Sequence, residues 1–268
     1  MSAPLFRPHP ATPILVGMVH LGPLPGSPRY AHDMPGLLAA AEADARALIE
    51  GGCDALLVEN MNDLPYLRGQ VPPETVAAMA LAVARVVALG HPTGLQILAA
   101  ANREALGVAV AAGAAFIRVE AFAYAHVADE GWLDACAGEL VRARAHLRAE
   151  GVAIWADVQK KHAAHAVTAD LDLAELAQGT AFCGADALIV TGAATGRPTD
   201  PEAVRAAATA GLPVVVGSGV TVENARDFKG LADALIVGTS IKHGGRWQNP
   251  VDVERVRALR RALDASTR

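Results

Sequence analysis

Residues 152–170 read V-A-I-W-A-D-V-Q-K-K-H-A-A-H-A-V-T-A-D. Val152, Ile154 and Val158 alternate with Trp155, Asp157, Gln159 and Lys161, and a side-chain period of two is the signature of a β-strand. The aliphatic positions suit contact with a layer of helices. Asp157 and Lys161 then point the other way, into the space the sheet encloses, while Lys160 points to the helices or the rim. The stretch also carries the imidazoles of His162 and His165. A strand that ends in titratable groups is where an α/β enzyme keeps its chemistry.

Outward from this stretch the same unit repeats. Strands are predicted over Ile14–His20, Ala55–Glu59, Leu95–Ala99, Phe116–Glu120, Ala187–Thr191, Val214–Val216 and Ala234–Val237. Helices are predicted between them, at about Leu37–Glu50, Glu74–Leu89, Arg103–Ala112, Trp132–Ala149, Leu171–Phe182 and Pro201–Ala210. A short helix that Thr221 could cap comes next, and a last one covers about Val251–Leu263. The first of these keeps a 3.6-residue apolar period and stops at Gly51.

Eight successive strand–helix pairs with no intervening linker force parallel pairing through right-handed crossovers, and eight such units close on themselves. The expected fold is therefore α/β: a single (β/α)8 TIM barrel of the phosphate-binding type, one domain over 1–268 with a loose arm at 1–12. The rival, a doubly wound open sheet, calls for a glycine-rich dinucleotide turn after the first strand, and none is there.

Composition narrows the class. In 268 residues, 52% hydrophobic content supports a large core, and 19% charged content is too low for a disordered chain. A net charge of -5 without a basic stripe argues against a nucleic-acid partner. No apolar stretch has the length of a membrane span, and no targeting segment stands out, so a cytoplasmic protein is expected. Cys53, Cys136 and Cys183 show no metal-binding spacing. Cys53 and Cys183, each just before a predicted strand, read as plain buried thiols.

In a barrel the working residues sit at the carboxyl ends of the strands. The predicted boundaries put His20, Glu59, Asn60, Asn102, Glu120, Asp157, Lys161, His162, Thr191 and Gly192 there. Gly217-Ser218-Gly219 and Gly238-Thr239-Ser240 follow the last two strands, the places where this fold builds a phosphate site from turns whose glycines admit an anion close to the backbone. Thr195 and Gly196 could complete that cradle, and Lys242 could add a point charge.

Asp157, Lys161, His162, Glu59, Glu120 and His20 are the candidate acids, bases and nucleophiles. Asp157 beside Lys161 is also satisfied as a plain ion pair. Lys161, if desolvated, could form a Schiff base. Arg118 shares a face with Glu120 and needs a partner, whether Glu59, Glu120 or an anionic group of the ligand. His162 and His165, with His126, Glu59 or Asp63, leave a divalent metal open as a cofactor without defining a third ligand. No other cofactor is implied.

Longer motifs carry a resemblance. They are G-M-V-H-L-G-P-L-P-G-S-P from Gly17, V-E-N-M-N-D-L-P-Y from Val58, N-R-E-A-L from Asn102 and F-I-R-V-E-A-F from Phe116. H-V-A-D-E-G from His126, D-V-Q-K-K-H-A-A-H-A-V-T-A-D from Asp157, V-T-G-A-A-T-G from Val190, V-G-S-G-V-T-V-E-N from Val216 and A-L-I-V-G-T-S-I-K from Ala234 complete the set. Along essentially its whole length the chain resembles the BtpA/SgcQ family, also called the photosystem I biogenesis protein family. The resemblance implies a phosphate-binding TIM-like barrel. The better-known branch tends to have Asn after I-R-V and a T-D-Q-G loop, where Glu120 and Ala128-Asp129-Glu130-Gly131 stand here. The chain is therefore similar to the other branch, found in organisms with no photosystem.

The expected ligand is a phosphorylated small molecule, a sugar phosphate or a nucleotide-derived compound, turned over by isomerisation, epimerisation or aldol-type cleavage. Acyl transfer is not favoured, because no serine occupies a G-x-S-x-G elbow. Three alternatives stay open: a non-catalytic assembly factor, a metabolite sensor and a metal-dependent hydrolase. Self-association through the helical shell is open as well.

Overall fold

The computed structural model describes residues 12–192 and 198–265. Thr195, Gly196 and nearly all of the N-terminal arm lie outside the described residues. Eight parallel strands form a closed barrel: β1 (Ile14–His20), β2 (Ala55–Glu59), β3 (Thr93–Gln96), β4 (Phe116–Val119), β5 (Ala153–Asp157), β6 (Ala187–Val190), β7 (Val214–Val216) and β8 (Ala234–Val237). Each strand pairs with its neighbour in sequence, and β8 closes onto β1. The helices among the described residues are α1 (Met34–Gly51), α2 (Pro73–Val87), α3 (Asn102–Ala112), α4 (Ala137–His146), α5 (Leu173–Phe182), α6 (Pro201–Ala208) and α7 (Val253–Asp264). This is a TIM barrel. None of its described helices is long and apolar enough to cross a membrane.

Alternation along the strands divides the apolar residues into two layers. One set, including Leu15, Val58, Ile117, Ile154 and Val216, packs outward against the helices. The inward set, including Met18, Leu57, Phe116, Trp155, Ile189 and Ile236, fills the barrel. Phe116 and Trp155 stack with ring centroids 3.8 Å apart and plug its centre. Gly94 on β3 makes room for that plug, since a Cβ there would lie 2.3 Å from the Phe116 ring.

Several local expectations are corrected. The predicted helix from Trp132 starts only at Ala137, because His126–Ala128 and Gly131–Leu133 form a hairpin in which Val127 faces Trp132. Gly131 adopts a φ of 109° at its turn, a conformation open to glycine. Ala163–Ala164 adds a third strand to this small sheet, so residues just past β5 come back over the barrel mouth. The helix expected after β7 is a 3-10 turn, Ala225–Phe228. Asn224 Oδ1 accepts the Thr221 N–H at 2.8 Å, and the Thr221 carbonyl accepts the Ala225 N–H at 3.0 Å. Strand β3 ends at Gln96, short of the predicted end at Ala99. Cys53 is buried, whereas Cys183 is exposed past the end of α5.

Lys242 does not join an anion site. It is 1% exposed, and its ammonium donates to Asp44 Oδ2 on α1 at 2.6 Å. The other oxygen of Asp44 accepts the Val251 N–H at 2.8 Å, tying the chain after β8 to the first helix. Removing one partner of a buried pair strands the other charge. Asp44→Ala should therefore lose about 3–5 kcal/mol of unfolding free energy, read by denaturant titration, and Asp44→Asn less.

Candidate active site

The inward-facing residues at the strand ends change from apolar to polar, because that is where the packed interior meets the loops. His20, Glu59, Gln96, Arg118 and Asp157, one from each of β1 to β5, line a cavity of roughly 400 Å³ together with Glu120 and Lys161. On the opposite side the cavity is bounded by the turns Gly217–Gly219 and Gly238–Ser240. The two glycine turns and the candidate acid–base groups thus share one space.

The strongest interaction in it is a fork. Arg118 Nε and Nη2 donate to Asp157 Oδ2 and Oδ1, both at 2.9 Å. Burial works against the arginine's charge, but the Asp157 carboxylate more than offsets it and raises the pKa. The expected pair of Asp157 with Lys161 is therefore not formed, because a planar guanidinium engages both carboxylate oxygens and an ammonium cannot.

Lys161 is left with no carboxylate within 4 Å among the described residues, and burial together with the Arg118 charge lowers its pKa. Glu59 is buried and its pKa raised by desolvation, against the pull of Arg118 and Lys161. Glu120 is pushed up to about 7 by burial, with Lys160 opposing. Its Oε2 accepts the Ala100 N–H at 3.1 Å, and Ala100 has the positive φ of 57°. His20 Nε2 lies 3.6 Å from Glu59 Oε2. Burial, then the Lys242 charge, drives His20 down to about 3, so at neutral pH it is an uncharged imidazole.

Lys160 turns into the mouth rather than toward the helices. It donates to Glu130 Oε2 at 2.9 Å and lies 3.7 Å from Glu120 Oε2. Burial disfavours its charge, yet Glu120 and Glu130 raise its pKa on balance. This pair fastens the hairpin over the cavity.

On the glycine side, a Cβ at Gly217 would come within 2.5 Å of Ile189, and one at Gly238 within 3.0 Å of His20. Gly219 adopts a φ of 73°. Ser218 Oγ accepts the Gly192 N–H at 3.2 Å, and Ser240 Oγ donates to Val220 O at 2.7 Å. Thr239 also lines the cavity.

Other expected ligand residues hold the scaffold instead. Asn60 is fully buried, and its Oδ1 accepts the Leu98 N–H at 2.8 Å. Asn102 donates to Glu120 O at 2.8 Å and so positions the backbone of that residue. Thr191 Oγ1 donates to Gln159 O at 3.2 Å, linking the ends of β5 and β6. None of the three, nor Gly192, lines the cavity.

Among the described residues no group of three His, Cys, Asp or Glu side chains is arranged to hold a metal ion. His162 lines the mouth. His126 and His165 face each other outside it with ring centroids 5.2 Å apart. His165 Nε2 is bonded to the Lys160 carbonyl at 2.9 Å, and burial pushes His126 down to about 4.

Sequence reasoning missed Gln96, Tyr66 and Trp247, all of which line the cavity. Gln96 was legible, since Leu95 and Ile97 face the helices and Gln96 must face in. Trp247 sits in a loop with no periodic pattern, edge-on to His20 at 6.4 Å.

A carboxyl with a raised folded pKa favours the fold while protonated and loses that contribution as pH rises through the folded value. Glu120→Gln should accordingly gain stability relative to the parent between about pH 4.5 and 7, by on the order of 3 kcal/mol. Thermal or urea unfolding of both proteins across pH 4–8 measures the difference; parallel curves would contradict it.

A family model described as the BtpA family matches residues 11–265. A mitochondrial protein of Caenorhabditis elegans is 45% identical over 251 residues, spanning 91% of this chain and 90% of its own. The photosystem I biogenesis protein BtpA of Synechocystis is 36% identical over 255 residues, spanning 93% of this chain and 87% of its own. Among solved structures, KGPDC from Streptococcus mutans superposes with a TM-score of 0.59 at 13% identity, covering 94% of this chain and 97% of that one. It is also solved in complex with ribose 5-phosphate. At that identity the likeness is one of fold. The chain belongs to the BtpA family.

Proposed function

We propose that the protein is an enzyme that acts on a phosphorylated small molecule, either a sugar phosphate or a nucleotide-derived compound. The phosphate would lie on the turns Gly217–Gly219 and Gly238–Ser240, and the reacting carbon would face Lys161, Glu59 and Glu120. The observation that carries this reading is the placement of Lys161, with no carboxylate within 4 Å among the described residues, in the same cavity as both glycine turns. The complex of the fold neighbour KGPDC with ribose 5-phosphate agrees with it.

The chemistry follows from the protonation states. A lysine with a lowered pKa carries a larger neutral fraction, and its lone pair can add to a carbonyl carbon of the ligand. The nitrogen passes one of its protons to the carbonyl oxygen, and Glu59 or Glu120, which hold protons more strongly than ordinary carboxyls, donates the second, so that the oxygen leaves as water. The resulting iminium withdraws electrons from the adjacent carbon, which is what isomerisation, epimerisation and aldol-type cleavage require. Without covalent attachment, the same residues can polarise the carbonyl for proton transfer alone.

The name of the Synechocystis relative raises a second reading, a non-catalytic assembly factor. The site opposes it. Burying Arg118, Asp157, Glu59 and Glu120 together costs stability that a purely structural barrel has no reason to bear.

Two experiments test the proposal. Ser218→Glu and Thr239→Glu place a carboxylate where the phosphate would bind. Each should lower inorganic phosphate affinity by about tenfold or more, read by calorimetry, and retained affinity would move the site elsewhere. Borohydride reduction in the presence of phosphorylated aldehydes and ketones should attach the ligand to Lys161, with Lys161→Met abolishing the adduct. No adduct across the panel would leave proton transfer without a Schiff base.

A further inference from the structure

Gln96 ends β3 on the barrel's inner face, is 2% exposed and lines the cavity. Its Oε1 is buried without a hydrogen-bond partner. Its amide nitrogen likewise donates to no described residue, and the side chain faces the cavity. Buried polar groups are nearly always paired, and an exception calls for a reason. Beside it on β2 stands Glu59, in register with Gln96. The Glu59 carboxyl makes no hydrogen bond among the described residues, and the nearby His20 imidazole lies 3.6 Å away. Two adjacent strand ends therefore present a carboxamide and a carboxyl side by side, both unspent and both facing the cavity.

A carboxamide offers an acceptor and two donors, and a carboxyl that keeps its proton offers a donor and an acceptor. The ligand group that satisfies such neighbours is one that donates and accepts at once. Hydroxyls do this; an alkyl chain leaves the amide unpaired, and a carboxylate, which only accepts, leaves the amide oxygen without a donor. The remaining walls, among them Met18, Leu98 and Trp247, offer apolar faces for carbon-bound hydrogens. We propose that Gln96 determines specificity here: with Glu59 it reads adjacent hydroxyl groups, so the ligand is a polyhydroxylated carbon chain, a sugar phosphate. This rests on the reading that the cavity takes a phosphorylated small molecule.

Calorimetric titration of the full chain and of Gln96→Met with D-ribose 5-phosphate and with n-pentyl phosphate tests it, since both carry five carbons and one phosphate but differ in hydroxyls. The parent should bind the sugar phosphate about tenfold more tightly than the alkyl phosphate, and Gln96→Met should shrink that ratio to about twofold or less. An equal affinity in the parent, or an unchanged ratio in the variant, overturns the proposal. Ligand-free Gln96→Met should melt at the parent's temperature or about 2–4 °C above it, because an unpaired amide has been removed. A lower melting temperature would mean the amide is paired in the free protein and would likewise overturn it. Failure of the phosphate reading is seen separately, as no binding of inorganic phosphate by the parent. Ribitol, which has the hydroxyls and no phosphate, then carries the test, and ribitol binding that does not depend on Gln96 overturns the assignment.

Discussion

The fork between Arg118 and Asp157 sets the terms for everything at the barrel mouth. It sits on adjacent strands, with both hydrogen bonds at 2.9 Å and both side chains almost wholly out of water. By taking both oxygens of Asp157 it releases Lys161 from the partner that sequence parity suggests. The positive charge of Arg118 also lowers the Lys161 pKa and moderates the rise at Glu59. The ion pair thereby adds to the effect of burial on Lys161 and opposes it at Glu59. Replacing either partner alone would leave an uncompensated charge in a dry place, a change that costs several times more than losing a surface pair.

Beneath the fork, the stacked rings of Phe116 and Trp155 seal the barrel. The polar layer therefore rests on an apolar plug and cannot be hydrated from below. Desolvation is the largest influence on His20, Glu59, Glu120 and Lys161 for this reason. From above, Lys160 and Glu130 fasten the small three-stranded sheet over the cavity. The site has a dry floor and a covered rim, the setting in which fixed charges act most strongly on a bound ligand.

Much of this was legible from the chain, and the failures have physical causes. The barrel, the inward face of Asp157 and the positions of the two glycine turns follow from alternation and from the place of each turn after its strand; Lys161 lines the cavity too, but from beyond the end of β5. Parity places Gln96 inward, but the predicted boundary draws attention past it. Reading β3 as Leu95–Ala99 put the working end at Asn102, whereas the strand stops at Gln96 and Asn102 begins a helix that braces Glu120. The expected helix from Trp132 begins late because Gly131, with its positive φ, turns the chain into a hairpin first. Parity points Lys160 to the helices or the rim. Parity ends where the strand ends, at Asp157, and Lys160 comes back under the hairpin.

What the sequence determined by itself was the architecture, because periods of two and 3.6 residues and the recurrence of strand–helix units are local properties of the chain. It also showed which strand ends are polar. Tertiary structure alone decided the pairings: Arg118 with Asp157, Lys160 with Glu130, and Lys242 with Asp44 at 198 residues' separation. It decided the protonation states as well. Those depend on burial and on every charge within reach, and neither is a property of neighbours along the chain.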